Sequence, residues 1–245
     1  MKKLLTIKNL GTRKPHFTKN GNIKLGDNMW VWSTMKGSND EVRYIKALDG
    51  YCSGTCGEYC KECTKSCYVN RSYRYGSVIL GHAVNTVWLK NDISKTFEQL
   101  VLQIKRAKKK PSMIRINQSG ELTCADELIK WANLAKQYPE INMYLYTKNY
   151  DAVANLVGCE NNIPHNLTIL ISVWHNLGVA EFEKWKHIPN IKAFVYDDGE
   201  LHLKPTTYCN AYDEKGKLNH DITCEKCRKC FSRSANHKIV GCKAH

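Results

Sequence analysis

The sequence lacks any apolar run long enough to cross a membrane. Its longest apolar runs, such as Leu167–Trp174, are less than half the roughly 18 residues that a transmembrane helix needs. The first residues, Met1–Lys8, carry positive charge, but their apolar run breaks early and the small-residue cleavage site of a signal peptide is missing. We therefore expect a protein that is kept in the cytosol and has no membrane partner.

Acidic residues are the minority among the charged ones. The 245-residue chain has 23 Asp and Glu against 37 Lys and Arg, which gives a formal net charge of +14 at pH 7. A charge of this sign favours acidic partners such as a nucleic acid or a nucleotide, although it also serves solubility alone. The composition, 42% hydrophobic and 24% charged, excludes a wholly disordered or fibrous chain.

Cysteine is abundant, with twelve residues. Cytosolic thiols are held reduced, so metal binding is a better explanation for them than a disulfide framework. Ten of the cysteines form two groups, which are Cys52, Cys56, Cys60, Cys63 and Cys67 in one and Cys209, Cys224, Cys227, Cys230 and Cys242 in the other. Cys124 and Cys159 stand alone, and we expect both to be small buried hydrophobic residues.

The spacing within the second group suits two kinds of metal centre. Cys224, Cys227 and Cys230 have the C-x2-C-x2-C rhythm of cubane ferredoxin sites, in which a distant cysteine supplies the fourth ligand. Cys209 or Cys242 could be that ligand. The alternative is a four-cysteine zinc knuckle that stabilises a tail too small to build its own core.

Strands and helices alternate along most of the chain. The hydrophobic pattern predicts strands at 42–48, 112–117, 141–146, 167–173 and 191–196. It predicts two helices within 77–109, which separate near 91–94, and further helices at 125–137, 151–157 and 179–186. This order predicts an α/β fold with parallel strands, in which five or six units form a partial (β/α) barrel. We divide the chain into an N-terminal arm with one short strand (1–41), the partial barrel with a cysteine loop at 50–68 (42–203), and a small Cys-rich metal-binding segment (204–245).

Polar residues follow the predicted strands where a parallel α/β fold places its active site. They are Gln118–Glu121, Thr147–Asn149, Ser172 with Trp174–Asn176, and Asp197–Gly199. We therefore expect these segments to share one rim with the first cysteine group.

This arrangement resembles the radical S-adenosylmethionine (SAM) superfamily over residues 42–200. Cys56, Cys60 and Cys63 have that superfamily's C-x3-C-x2-C spacing, although Glu62 stands where it usually has an aromatic residue. The resemblance implies a [4Fe–4S] cluster, SAM and an electron donor. It also implies that Ser119, Gly120 and Glu121 meet the SAM amine and that Ser172 faces its ribose.

Thr147 and His175 are further candidates for cofactor binding. For two of the candidates a structural role is an equal alternative. Glu121 could cap the helix that begins near Thr123, and His175 could be a rim histidine bonded to its neighbours.

The sequence also resembles the phage gene product 88 family, over most of its length. The matching segments are Cys52-Ser-Gly54, Cys63, Cys67-Tyr68, Arg115–Glu121, Tyr144–Thr147, and the C-terminal C-x2-C-x2-C with its terminal His. This pattern implies cluster ligands Cys52, Cys63 and Cys67, whereas the generic spacing implies Cys56, Cys60 and Cys63. A phage origin would place the protein in the host cytoplasm.

The sequence therefore predicts an iron–sulfur protein with one or two [4Fe–4S] clusters that cleaves SAM and performs radical chemistry. Its substrate is unknown, with a nucleic acid or nucleotide favoured by charge; zinc is the alternative metal at the C-terminal site. The competing hypothesis is a non-enzymatic, Cys-rich nucleic-acid-binding module with structural metals.

Overall fold

The computed structural model describes residues 13–19, 25–37, 54–57, 63, 67, 69–158, 163–211, 219, 221–232 and 235–243. The described part of the chain has a mixed α/β fold. Its strands are β1 Thr18–Lys19, β2 Met29–Val31, β3 Met113–Ile116, β4 Asn142–Thr147, β5 Leu167–Trp174, β6 Ile191–Asp197, β7 Thr207–Tyr208 and β8 Ile239–Lys243. Its helices are α1 Val69–Ser72, α2 Gly76–Asn91, α3 Ile93–Arg106, α4 Ala125–Gln137, α5 Tyr150–Gly158, α6 Val179–Trp185 and α7 Cys224–Cys227, with a 3-10 turn at Ala235–His237.

The eight strands form one sheet in the order β1-β2-β3-β4-β5-β6-β8-β7. Every neighbouring pair is parallel except β1 and β2. The sheet is open over the described residues, because β1 and β7 stand at its two ends. The predicted α/β fold with parallel strands is confirmed, while its curvature into a partial barrel stays a prediction.

Both ends of the chain contribute strands that the sequence pattern did not predict in the sheet. In the predicted N-terminal arm, β2 pairs with β3, with Trp30 opposite Ile114. In the predicted Cys-rich segment, β8 pairs with β6, and Cys242 lies opposite Tyr196. The second cysteine group is therefore tied to the main sheet by backbone pairing.

The break between α2 and α3 was predicted at 91–94 and lies at Asp92. The Asp92 carboxylate accepts a hydrogen bond from the Lys95 backbone N–H across 2.9 Å, as a helix N-cap does. Beyond it, Phe97, Leu100 and Ile104 recur at helical spacing and are buried against the sheet.

The core on this side of the sheet is rich in aromatic side chains. The Trp131 ring of α4 lies 4.8 Å from the ring of Phe97 and 6.0 Å from that of Trp32, in edge-to-face arrangements. Asn166, just before β5, donates from its side-chain amide to three backbone carbonyls of the α4–β4 connection. These contacts fix the strands whose ends carry the site.

Some predicted features lie outside the described residues, namely the strand at 42–48, Cys52, Cys60 and Cys159. Cys124 is half-buried and directly precedes α4. Among the described helices, none is both long enough and apolar enough to span a membrane.

Candidate functional site

A cavity of about 320 Å³ opens at the carboxyl ends of the parallel strands. Its volume is that of a small-molecule site. The residues Asn117–Glu121 line it after β3, Tyr146 and Lys148 at the end of β4, and Ser172–Trp174 at the end of β5. Three of the four polar segments that were expected to share one rim contribute to this lining, whereas Asp197–Gly199 does not.

Thiols from both cysteine groups line this single cavity. Among the predicted metal ligands that the structure describes, the lining contains Cys56, Cys63, Cys67, Cys209, Cys224, Cys230 and Cys242. A second, much smaller cavity of about 20 Å³ adjoins the C-terminal segment. Its thiols are Cys209, Cys224, Cys227 and Cys230. The fold thus brings together two groups of thiols that are far apart in the sequence.

The chemistry of these donors suits a thiophilic centre. Thiolates are the ligands of structural zinc and of iron–sulfur clusters. In their present positions, no three His, Cys, Asp or Glu side chains of the described residues lie close enough together to hold a metal ion. Because Cys52 and Cys60 are outside that part of the chain, the ligand set of the first group stays a prediction.

The C-terminal cysteine segment is held by a buried lysine. Lys192 of β6 is 2% exposed, and its ammonium group donates to the backbone carbonyls of Lys229 and Ser232. Burial lowers the pKa of Lys192 to about 8. On the other side of the segment, the Glu225 N–H donates to the Leu25 carbonyl across 3.1 Å. These bonds hold α7 and the turn that follows it against the sheet.

Cys230 has the most buried environment among the thiols with a perturbed pKa. Burial raises its pKa to about 12, against a lowering by the Tyr146 hydroxyl, which donates a hydrogen bond to its sulfur. Burial also raises the pKa of Cys67 in the first group. Without a bound metal, both thiols are therefore expected to be protonated at neutral pH.

The Ser119–Glu121 turn is joined to the first cysteine loop. Its Glu121 N–H donates to the Thr55 hydroxyl across 2.8 Å, and Thr55 also bonds to Thr34. Gly120 has φ +80°, and a Cβ there would collide with the hydroxyls of Thr34 and Thr55. Only glycine fits this close approach, which places the turn directly beside Thr55 of the cysteine loop.

The Glu121 carboxylate is buried and anchored by three hydrogen bonds. It accepts from the Leu122 N–H at 2.8 Å, the Thr147 hydroxyl at 2.7 Å and the Lys148 N–H at 2.8 Å. Burial raises its pKa, while these bonds lower it. The helix α4 has Cys124 at its N-cap without a side-chain cap bond, and Glu127 in its first turn accepts from the Thr123 N–H. The three bonds of Glu121 go to other groups, so the alternative role as a helix cap does not fit it.

The remaining predicted cofactor-binding residues have different positions. Thr147 is fully buried, and its hydroxyl donates a hydrogen bond to the Glu121 carboxylate. Ser172 lines the cavity. His175 lies just beyond β5, at φ +51°, outside the cavity lining, and its ring contacts Asp198 at 3.4 Å and Glu200 at 3.6 Å. The role of a rim histidine bonded to its neighbours therefore fits His175 better than cofactor binding.

Lys148 and Trp174 were expected on the rim, but the sequence pattern gave no role in the site to the other cationic and aromatic residues of the lining. Lys36, Arg115 and Lys148 line the cavity. Trp174 stacks on Tyr196 with ring centroids 4.2 Å apart, and both belong to the lining. For Arg115, Tyr146, Phe194 and Tyr196 the available signal was their position in β3, β4 and β6, because alternate residues of a strand point to the same face of the sheet.

The described fold and site define a mixed α/β protein with a thiol-lined cavity at the carboxyl edge of its parallel strands. The model of the phage family described as gene product 88 matches residues 16–233, and the chain belongs to this family. Neither the curated proteins nor the solved structures gave a match. The predicted phage family is thereby confirmed.

Proposed function

We propose that this protein is an iron–sulfur enzyme that cleaves SAM reductively and performs radical chemistry on a substrate held in the cavity. The observation that supports this function is the single cavity that unites thiols of both cysteine groups with the Ser119–Glu121 turn. Such a cavity at the carboxyl ends of parallel strands is where α/β enzymes hold their cofactors. As part of the proposal, the open sheet curves into a partial barrel with the cavity at its mouth.

Three thiols of the first cysteine group would hold a [4Fe–4S] cluster. Cys63 belongs to both possible ligand sets, with either Cys56 and Cys60 or Cys52 and Cys67. Three protein ligands leave one iron open to SAM. A bound cluster would supply the one-electron chemistry that reductive cleavage of SAM needs, with the electron coming from an external donor, and Cys63 with its two partners would hold it.

Glu121 retains the capacity to bind the SAM amine. A carboxylate offers about four acceptor positions, and its three hydrogen bonds are to protein donors. The remaining position can accept from an ammonium group in the cavity. Ser172 lies on the same lining and could meet the ribose.

At the C-terminal site, zinc fits better than a second cubane. Cys209, Cys224, Cys227 and Cys230 all line the smaller cavity, and these thiols would have to move closer together to bind a metal ion. Four thiolates are the preferred set of structural zinc. On this basis Cys209 is the fourth ligand, and Cys242 faces the larger cavity.

The test is anaerobic purification, followed by iron, sulfide and zinc analysis and by visible and electron paramagnetic resonance spectra of the reduced protein with and without SAM. We expect a cubane signal that SAM perturbs, together with one zinc. A cluster that is insensitive to SAM would contradict the enzymatic function. A colourless zinc protein that binds DNA or RNA with a steep salt dependence would instead support the nucleic-acid-binding module.

Serine variants of the loop cysteines distinguish the two ligand sets. Cys63→Ser should lose the cubane signal in either case. If Cys56→Ser loses the cubane signal and Cys67→Ser keeps it, the ligands are Cys56, Cys60 and Cys63. The reverse result identifies Cys52, Cys63 and Cys67, the set that the phage family's pattern implies. Cys124→Ser is the matched control, since this half-buried cysteine is outside the cavity lining and should retain full iron.

A further inference from the structure

Asn117 is a buried polar residue of the cavity whose side chain has no hydrogen-bond partner among the described residues. It follows β3 directly, is 5% exposed and belongs to the cavity lining. Neither its amide nitrogen nor its amide oxygen is hydrogen-bonded in the described structure. Buried side-chain amides are nearly always paired in folded proteins, so an unpaired one in the wall of a cavity points to a ligand.

The backbone of Asn117 is also unusual. Its φ of +54° lies in the left-handed region, which residues other than glycine seldom adopt and which asparagine tolerates better than most. Such backbone conformations are found often at active sites and ligand-binding sites. The surrounding turn is otherwise well bonded, since the Gln118 N–H donates to the Trp32 carbonyl and the Thr34 N–H to the Ser119 carbonyl.

A side-chain amide presents a donor and an acceptor side by side. A matching ligand edge must present an acceptor and a donor in the same way, as the hydrogen-bonding edges of nucleobases do. The cavity also has a wall suited to a planar ring, because Tyr146, Phe194, Trp174 and Tyr196 all line it. Stacking on aromatic side chains is a general means of holding bases.

The charge of the lining favours an anion. Lys36, Arg115 and Lys148 contribute three cations. Among the described lining residues Glu121 is the one carboxylate, and burial raises its pKa. A phosphate is the anionic group that accompanies a nucleobase in a nucleotide, and cationic side chains are its usual partners.

We infer that Asn117 is a nucleobase-binding residue and that the cavity takes a nucleotide, its base paired with the Asn117 amide and its phosphate balanced by the lining cations. The nucleotide can be free or part of a single-stranded nucleic acid. The inference rests on the proposed function in treating this cavity as the substrate site. Nucleotide binding can be measured without SAM or a reductant. The nucleotide-binding inference and the proposed SAM cleavage can therefore fail independently of each other.

The test is isothermal titration of the anaerobically purified protein with AMP, GMP, CMP and UMP, with the corresponding nucleosides, with SAM, and with single-stranded DNA and RNA oligonucleotides. We expect at least one mononucleotide or oligonucleotide to bind, and the matching nucleoside to bind at least threefold more weakly. If an oligonucleotide binds and no mononucleotide does, the natural ligand is a nucleotide within a single-stranded nucleic acid. Binding of SAM with no nucleotide or oligonucleotide would overturn the inference.

The decisive variant is Asn117→Gly. Glycine adopts φ +54° without strain, so this change removes the amide and keeps the backbone. We expect at least a tenfold loss of nucleotide affinity with an unchanged or higher melting temperature, because the amide that is lost makes no hydrogen bond to the part of the chain that the structure describes. Unchanged nucleotide affinity, or a melting temperature lowered by several degrees, would assign Asn117 a structural role and overturn the inference.

Asn155→Gly and Arg115→Gln complete the set. Asn155 lies on α5 outside the cavity lining, and its amide bonds to the Asp151 carbonyl. Its substitution should leave nucleotide affinity unchanged. Arg115→Gln should weaken nucleotide binding and reduce its dependence on salt, and full retention of both would contradict the role of the cations.

Discussion

The Tyr146 hydroxyl donates a hydrogen bond to the Cys230 sulfur across 3.1 Å. This bond joins the carboxyl end of β4 to the C-terminal cysteine segment, two regions that are far apart in the sequence. It also bears on metal binding, because burial raises the pKa of Cys230 to about 12 and a metal can bind only after this proton is released. Metal loading of the C-terminal site should therefore release protons.

Tyr146→Phe removes this bond and leaves the ring in place. We expect a loss of about 1 kcal/mol in unfolding free energy, the ordinary contribution of one hydrogen bond, and a weaker affinity for zinc. Thermal unfolding and competition with a chelator measure the two effects. Tyr208→Phe is the control, because its hydroxyl bonds to Asp197 at an exposed position and the change should leave zinc affinity unaltered. Equal zinc affinity in Tyr146→Phe and the wild type would contradict the prediction.

Lys192→Met tests how the C-terminal segment is held. The methionine fills a similar volume, but the carbonyls of Lys229 and Ser232 lose their shared donor. We expect a loss of roughly 1–3 kcal/mol in unfolding free energy and faster proteolysis within residues 221–232. Lys186→Met, at an exposed ion pair with Glu183, should do neither. A Lys192→Met protein as resistant to protease as the wild type would mean that other contacts hold the segment.

Much of the central fold was predictable because its periodicity is strong. The helix at Ala125–Gln137 was predicted to the residue, and the apolar run at Leu167–Trp174 is a strand buried in the middle of the sheet. The strands β2 and β8 were not predicted in the sheet. They are short, and Ile239–Lys243 contains a glycine and a terminal lysine. Their position depends on pairing with distant strands, which local pattern does not encode.

The candidate site was predictable in its parts and not in its assembly. The two cysteine groups and the Ser119–Glu121 turn were recognisable by spacing, but their meeting in one cavity depends on the order of strands in the sheet. Glu121 was expected to meet a ligand or to cap a helix, whereas most of its bonds go to the end of β4. Asn117 belonged to the predicted strand 112–117 and to the Arg115–Glu121 segment that resembles the phage family, but neither singled it out.

Thr147→Val tests the link between Glu121 and β4. Valine keeps the branched shape of threonine but removes the hydroxyl that donates to Glu121 across 2.7 Å and accepts from the Asn149 N–H at 2.9 Å. Because the carboxylate is buried, we expect a loss of roughly 1–3 kcal/mol in unfolding free energy. Thr147→Ser keeps the hydroxyl and should lose distinctly less. Equal losses in denaturant unfolding of the two variants would mean that the hydroxyl contributes little.

Glu127 makes the stability of the protein depend on pH. Its carboxylate is fully buried and accepts from the Thr123 N–H, the Thr123 hydroxyl and the Trp131 indole N–H. Burial raises its pKa from 4.5 to about 7, and the nearby Glu121 adds to the rise. Between these pH values the folded protein keeps a proton that the unfolded chain releases. The stabilisation that comes from the protonated Glu127 carboxyl is therefore complete below about pH 4.5 and is lost as the pH rises through 7.

Glu127→Gln should remove this dependence. The wild type should lose roughly 3 kcal/mol of unfolding free energy from this group between pH 4.5 and 7, whereas the variant cannot titrate there. The measurement is the melting temperature of both proteins across this range at constant ionic strength, and only the difference between the two slopes counts. Glu98→Gln, at an exposed position of α3, is the matched control and should keep the slope of the wild type. Parallel slopes for Glu127→Gln and the wild type would mean that the Glu127 carboxyl does not change its protonation on unfolding.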